Sequence, residues 1–161
     1  MKNTLNTHRQ IIASVALTVM LLFTFGLSSC SREDDLDEIF VGRTWYMNGA
    51  KVNGLKLNSE IKQFYTDAGE SAYYISFMSG TFQGALSAGV TFAGTWSADG
   101  KKQTIQLNVT TKPATTSTFD KQIFNIISSA SSYNSGADFL QMDKDDNNYV
   151  MFGSSRNKVY N

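Results

Sequence analysis

The chain has 161 residues, and its 14 basic and 14 acidic side chains give a formal charge of zero at pH 7. Its one histidine is His8 and its one cysteine is Cys30. With no basic block and no imidazole beyond residue 8, the sequence argues against phosphate-mediated nucleic-acid binding, against Ser-His-Asp or Cys-His catalysis, and against zinc sites built on His or Cys.

Lys2 and Arg9 precede an uncharged stretch from Ile11 to Leu27 dominated by Ile, Val, Leu, Met and Phe. A basic start, an apolar run and then small residues form the layout of an export signal. The run is about 17 residues, the lower limit for crossing a bilayer, and no Lys/Arg-rich patch follows it. Leu27-Ser28-Ser29-Cys30 resembles the lipobox of bacterial lipoproteins. That resemblance implies that residues 1–29 are a signal peptide recognised through Leu27, Ser28 and Ser29. It also implies that Cys30 becomes the lipid-bearing first residue. Two or three acyl chains anchor stably where one does not. The expected address is therefore the outer membrane, held by lipid without spanning it, with the surface and periplasmic faces both open.

Glu33, Asp34, Asp35, Asp37 and Glu38 follow. Like charges keep a segment extended, so 30–39 reads as a flexible acidic tether. The same stretch resembles the acidic export signal of Bacteroidetes surface lipoproteins, which would assign that role to Glu33, Asp34 and Asp35.

Residues 40–161 suit one domain with a core of its own. Phe40 to Met47 reads as a strand ending at a turn, Asn48-Gly49. Ala50–Val52 and Leu55–Leu57 flank Asn53-Gly54, a strong hairpin signal because both residues tolerate positive φ. Ser59–Ala68 has helical spacing. Ser71–Met78 reads as a strand with Tyr73, Ile75 and Phe77 on one face, and Thr81–Leu86 as a short strand with a glycine bulge. Val90, Phe92, Gly94 and Trp96 alternate, Asp99-Gly100 turns, and Ile105, Leu107 and Val109 alternate on the return. A Thr-rich loop with Pro113 leads to a helix over about 118–130, capped by Ser117 or Thr118, with Asp120 placed for the helix dipole. Tyr133–Gly136 connects to strands Asp138–Met142 and Tyr149–Phe152, joined by a loop over Asp143–Asn148. Val159-Tyr160 reads as a last edge strand. The fold class is mainly β: a small antiparallel β-barrel or strongly curled sheet of about eight strands, with one substantial helix before the last hairpin.

The order of Gly42-Arg43-Thr44-Trp45, Phe92-Ala93-Gly94-Thr95-Trp96, the Asp99-Gly100 hairpin, a helix and Ala137-Asp138-Phe139-Leu140 resembles META/HslJ-like β-barrel domains. It is also similar to the lipocalin-like barrels of Bacteroidetes lipoproteins. The chain lacks the barrel cysteines of the first group and places its helix earlier than the second. Both resemblances speak to fold more than to activity.

Trp45, Trp96 and Tyr73 are candidate ligand-facing aromatics, with filling of the barrel interior as the competing role. Asp99, Asp120 and Asp138 are candidates for paired acid/base work of the glycosidase kind. Asp143–Asn148 shares the start of a calcium loop but lacks the glycine and glutamate that such a loop needs. No metal and no cofactor is expected. The expected function is a non-catalytic, lipid-anchored envelope protein serving binding or assembly, its partner a small apolar molecule, a glycan or another envelope protein. The alternative is a carboxylate-based glycan hydrolase.

Overall fold

The computed structural model of the chain describes residues 34–57, 71–87 and 89–156. By internal contacts the chain divides into Met1–Arg32 and Glu33–Asn161, and every element below belongs to the second unit. A four-residue helical turn α1 (Leu36–Ile39) leads into strands β1 (Thr44–Val52), β2 (Leu55–Lys56), β3 (Tyr74–Met78), β4 (Thr81–Ala85), β5 (Thr91–Asp99) and β6 (Thr104–Thr111). Helix α2 (Thr118–Ser128) precedes β7 (Ser132–Ser135), β8 (Phe139–Asp145) and β9 (Asn148–Gly153).

All neighbouring strands pair antiparallel in the order β2-β1-β3-β4-β5-β6-β7-β8-β9, and β1 also pairs with β9. That last pairing, from Tyr46↔Gly153 to Lys51↔Tyr149, closes the sheet into a ring and leaves β2 as an appendage of β1. Closure removes the unpaired edges of an open sheet and encloses one face of every strand. Alternation follows: on β6, Ile105 and Leu107 are buried while Thr104, Gln106 and Asn108 are exposed. The interior is filled by side chains, with Trp45, Phe40, Phe77, Phe82, Phe92 and Phe152 the largest fully buried ones.

Two plugs close the barrel. At the Met78 end of β3, the Gly42 N–H donates to the Phe77 carbonyl at 2.9 Å. There the Phe40 ring sits 5.0 Å from Phe77, 4.9 Å from Trp96 and 5.2 Å from Tyr133. The start of α2 lies at the other end of β3, where Phe119 meets Tyr73 at 5.9 Å and Phe124 meets Phe92 at 5.6 Å. Its Ile123, Ile126 and Ile127 are buried. Among the described residues no helix is long and apolar enough to cross a membrane.

The structure departs from the sequence expectations at particular places. Asn48-Gly49 is not a turn; β1 runs through it, with Asn48 the extra residue of a bulge between Met47↔Phe152 and Gly49↔Met151. Asn53 and Gly54 do form a two-residue turn, with φ of 52° and 85°. β4 is regular. The bulge expected there falls in β6 instead, where Thr110 lies between the partners of Ala93 and Gly94. Tyr133 and its neighbours are a strand rather than a connector, and the last hairpin turns tightly on Asp146-Asn147. The tether expected over 30–39 is helical at Leu36–Ile39 and buries Phe40. The expected helix at Ser59–Ala68 and strand at Val159-Tyr160 lie outside the described residues.

Gly94 shows why β5 carries a glycine between two aromatics. A Cβ there would collide with the Asn108 carbonyl on β6 and meet Phe82 at 2.9 Å. Gly94→Ala must separate two paired strands or displace a core ring, so it is expected to cost about 2 kcal/mol or more. Urea denaturation checks this; an unchanged midpoint would show that the seam gives way freely.

Candidate functional site

Asp120 shares a helix face with Ile123 and Ile127, at spacings of three and seven. The stripe that buries the isoleucines therefore carries a carboxylate inward. Asp120 is fully buried. Its Oδ1 accepts from the Tyr73 hydroxyl at 2.8 Å, and its Oδ2 accepts from Ser87 Oγ at 2.7 Å and Thr115 Oγ1 at 3.0 Å. Its own N–H donates to Oγ of Ser117, the helix N-cap, at 3.2 Å, and the Ser117 N–H donates to Thr115 Oγ1 at 3.1 Å. Lys102 and Asp99 form an ion pair at 3.5 Å in the β5–β6 turn, well away from this carboxylate. The negative charge is met instead by hydroxyl donors and by the positive end of the helix dipole.

Tyr73 is held firmly. Its φ of 50° lies in the left-handed region, which a bulky side chain rarely adopts. Its N–H donates to the Leu86 carbonyl at 2.7 Å and its carbonyl accepts from the Met47 N–H at 2.9 Å. Burial, and then the neighbouring Asp120 carboxylate, push its hydroxyl well above the ordinary phenol range. The cluster thus joins three segments of chain: Tyr73, Ser87, and the Thr115–Asp120 run that opens α2. It is a carboxylate surrounded by protonated donors.

The other candidates are scattered. Trp45 is fully buried, and its Nε1–H donates to the Ile39 carbonyl at 3.1 Å. Trp45 and Tyr73 are both packed in the core. Trp96 is half-buried at the Phe40 end, where its Nε1–H donates to the Met78 carbonyl at 2.8 Å. Asp99 closes the β5–β6 turn by accepting from the Lys101 and Lys102 N–H groups at 3.1 and 3.0 Å, which hold its carboxyl below the usual range. Asp138 accepts from Ser154 Oγ at 3.1 Å. These two and Asp120 sit on different elements, each with its own donors. In the Asp143–Asn148 segment, Asp145 Oδ1 accepts from the Asn147 N–H at 2.9 Å and from Asn148 Nδ2 at 2.8 Å, the geometry of a tight hairpin. Among the described residues no three His, Cys, Asp or Glu side chains gather as a metal site. Asp35 is the N-cap of α1, accepting from the Asp37 and Glu38 N–H groups. Asp34 Oδ2 accepts from Gln103 Nε2 at 3.2 Å. Leu27, Ser28, Ser29, Cys30 and Glu33 lie outside the described residues. A surface depression of about 460 Å³ is lined by Ser97, Ala98, Asp99, Thr104, Ile105, Gln106, Ala130 and Ser131.

Residues 31–154 match the family described as "Domain of unknown function (DUF4847)". The chain belongs to the DUF4847 family. A crystal structure of a DUF4847 family protein from Bacteroides vulgatus is similar, with a TM-score of 0.62 and 22% identity over 77% of this chain and 100% of that one. At that identity the likeness shows the fold. No functionally curated protein matches the chain. Of the resemblances drawn from the sequence, the coarser part stands: a β-rich family of unknown function with a Bacteroides member.

In the DUF4847 barrel, the buried hydroxyl cluster is only partly legible in the sequence. The sequence offers Asp120 as a dipole partner and as an acid/base candidate; the signal for its burial is its place on the isoleucine stripe. Ser87 and Tyr73 carry no local signal toward Asp120, because only the fold brings them to the carboxylate, whereas Thr115 lies five residues before it.

Asp120→Ala leaves three buried or half-buried hydroxyls without their acceptor and is expected to cost about 3 kcal/mol or more. Tyr73→Phe, which removes one donor, is expected to cost about 1–2 kcal/mol. Urea denaturation ranks the two, and equal costs would contradict the cluster. Burial and nearby Asp34 and Asp99 also raise the hydroxyl of Tyr133. Both tyrosines stay protonated in the fold at a pH where the unfolded chain ionises. Their contribution is fully present below about pH 10 and lost above it, each adding a slope of up to about 1.4 kcal/mol per pH unit. Tyr73→Phe is expected to flatten that alkaline slope; an unchanged slope would remove Tyr73 from the account.

Proposed function

We propose that this DUF4847 protein is a lipid-anchored envelope protein of the outer membrane whose barrel serves binding or assembly rather than catalysis. The observation that carries this reading is the use already made of the side chains that could do chemistry. The large aromatics fill the interior, and the carboxylates of Asp35, Asp99, Asp120 and Asp145 each complete a cap, a turn or a buried cluster. A barrel filled in this way favours partners that meet its outside, namely another envelope protein or a glycan, over an apolar molecule held within. The anchoring rests on Leu27-Ser28-Ser29-Cys30, and the Bacteroides relative suits the lipoprotein resemblance.

Cys30→Ala is expected to abolish palmitate labelling and to release the protein from membranes; a variant that still labels would overturn the anchor. Incubating the purified protein with envelope glycans is expected to give no cleavage. Glycan hydrolysis lost in Asp99→Asn or Asp138→Asn would instead establish the hydrolase. The surface-export reading needs variants that keep the local hydrogen bonds, because alanine at Asp35 removes a helix cap worth about 1 kcal/mol. Asp34→Asn with Asp35→Ser keeps acceptors at both positions and removes both charges. The pair is expected to abolish cleavage by protease added to whole cells, and unchanged cleavage would reduce the acidic stretch to a tether.

A further inference from the structure

The residue count between Cys30 and the fold limits where the barrel can stand. Asp34 is four residues after Cys30, and four residues span at most about 14 Å when fully extended. The headgroup layer on each side of a bilayer takes up about 6 Å of that, so Asp34 cannot rise more than about 8 Å above it.

Asp34 is fixed to one end of the barrel. Its N–H donates to the Gly100 carbonyl at 3.3 Å, and its carboxylate accepts from Gln103 Nε2 at 3.2 Å. The approach is close enough that a Cβ on Gly100 would collide with the Asp34 carbonyl. The β5–β6 turn therefore travels with Asp34, and it carries Lys101 and Lys102, both exposed. The β3–β4 turn lies at the same end: the Trp96 N–H donates to the Gly80 carbonyl at 3.1 Å, and Trp96 Nε1–H donates to the Met78 carbonyl. Met78 is 47% exposed, one of two large hydrophobic residues so exposed among the described residues. Leu55, the other, sits on the β1–β2 hairpin beyond the opposite end of β1.

Resting on the lipid-anchor reading, we propose that the barrel stands on the bilayer with its Phe40-plugged end down, against the lipid headgroups of the membrane that holds its anchor. Lys101 meets lipid phosphates, Lys102 is shared with Asp99, and Met78 meets the interfacial layer, while the exposed acidic side chains of Asp35, Asp37 and Glu38 keep this end at headgroup level. The α2 end, with the Tyr73–Asp120 cluster beneath it, faces away from the membrane.

The test uses the full-length lipidated protein in vesicles of phosphatidylethanolamine and phosphatidylglycerol. Cys30 carries its lipid on sulfur, so Lys101→Cys, Met78→Cys and Lys112→Cys each supply a single reactive thiol for a fluorophore. Lys112 is exposed just past the far end of β6. Quenching by a headgroup spin-labelled lipid is expected to be several-fold stronger at positions 101 and 78 than at 112. Equal quenching at the three positions, or the strongest at 112, in protein that floats with the vesicles overturns the orientation and leaves the anchor standing. Protein that fails to float overturns the anchor and the orientation together.

Discussion

The carboxylate of Asp120 is the constraint around which the α2 end of this barrel is organised. A buried charge without a cation is costly unless donors surround it. Here three hydroxyls converge on it, two from other segments of the chain and one from the loop that leads into its own helix, and the helix supplies the rest of the compensation through its N-terminus. Satisfying one charge thereby fixes the placement of α2, the loop after β4, the loop after β6 and the strained backbone at Tyr73. A hydrophobic residue at position 120 would fill the space without specifying which loops must meet there.

The fold itself was largely legible. Strict alternation in β5 and β6 announced one wet and one buried face, and the period change after Thr118 announced the helix. Asn53-Gly54 was readable because a two-residue hairpin demands positive φ. Asn48-Gly49 has the same letters but is a bulge, and the difference lies in the pairing of β1 with β9, more than a hundred residues away. β7 was missed because Ser132–Ser135 offers a single apolar residue, Tyr133, to mark a period. The site was less legible for the same reason: hydrogen bonds between residues tens of positions apart leave no local trace.

The acidic residues before β1 have a structural role that their charge alone does not suggest. Read as sequence, Asp34 and Asp35 belong to an acidic stretch whose charge invites an export role. In the structure the same two residues hold a helical turn and the β5–β6 turn in place, and the turn delivers Phe40 into the barrel mouth. The stretch from Asp34 to β1 is thus part of the domain, which agrees with a family match over residues 31–154.

The ring is not equally fastened all round. β5 and β6 pair over most of their length, whereas β6 meets β7 in register at Thr104↔Ser132, with main-chain bonds from Ile105 and Tyr133 on either side. The chain between those two strands is the excursion through α2. A zipper with one short stitch parts there first, so thermal breathing of this molecule concentrates on a hinge that swings α2 and β7–β9 away from the β1–β6 wall. Such a partial opening would free Phe124 from Phe92 and bare Ile123, Ile126 and Ile127, so the short stitch between β6 and β7 is where core surface first meets solvent.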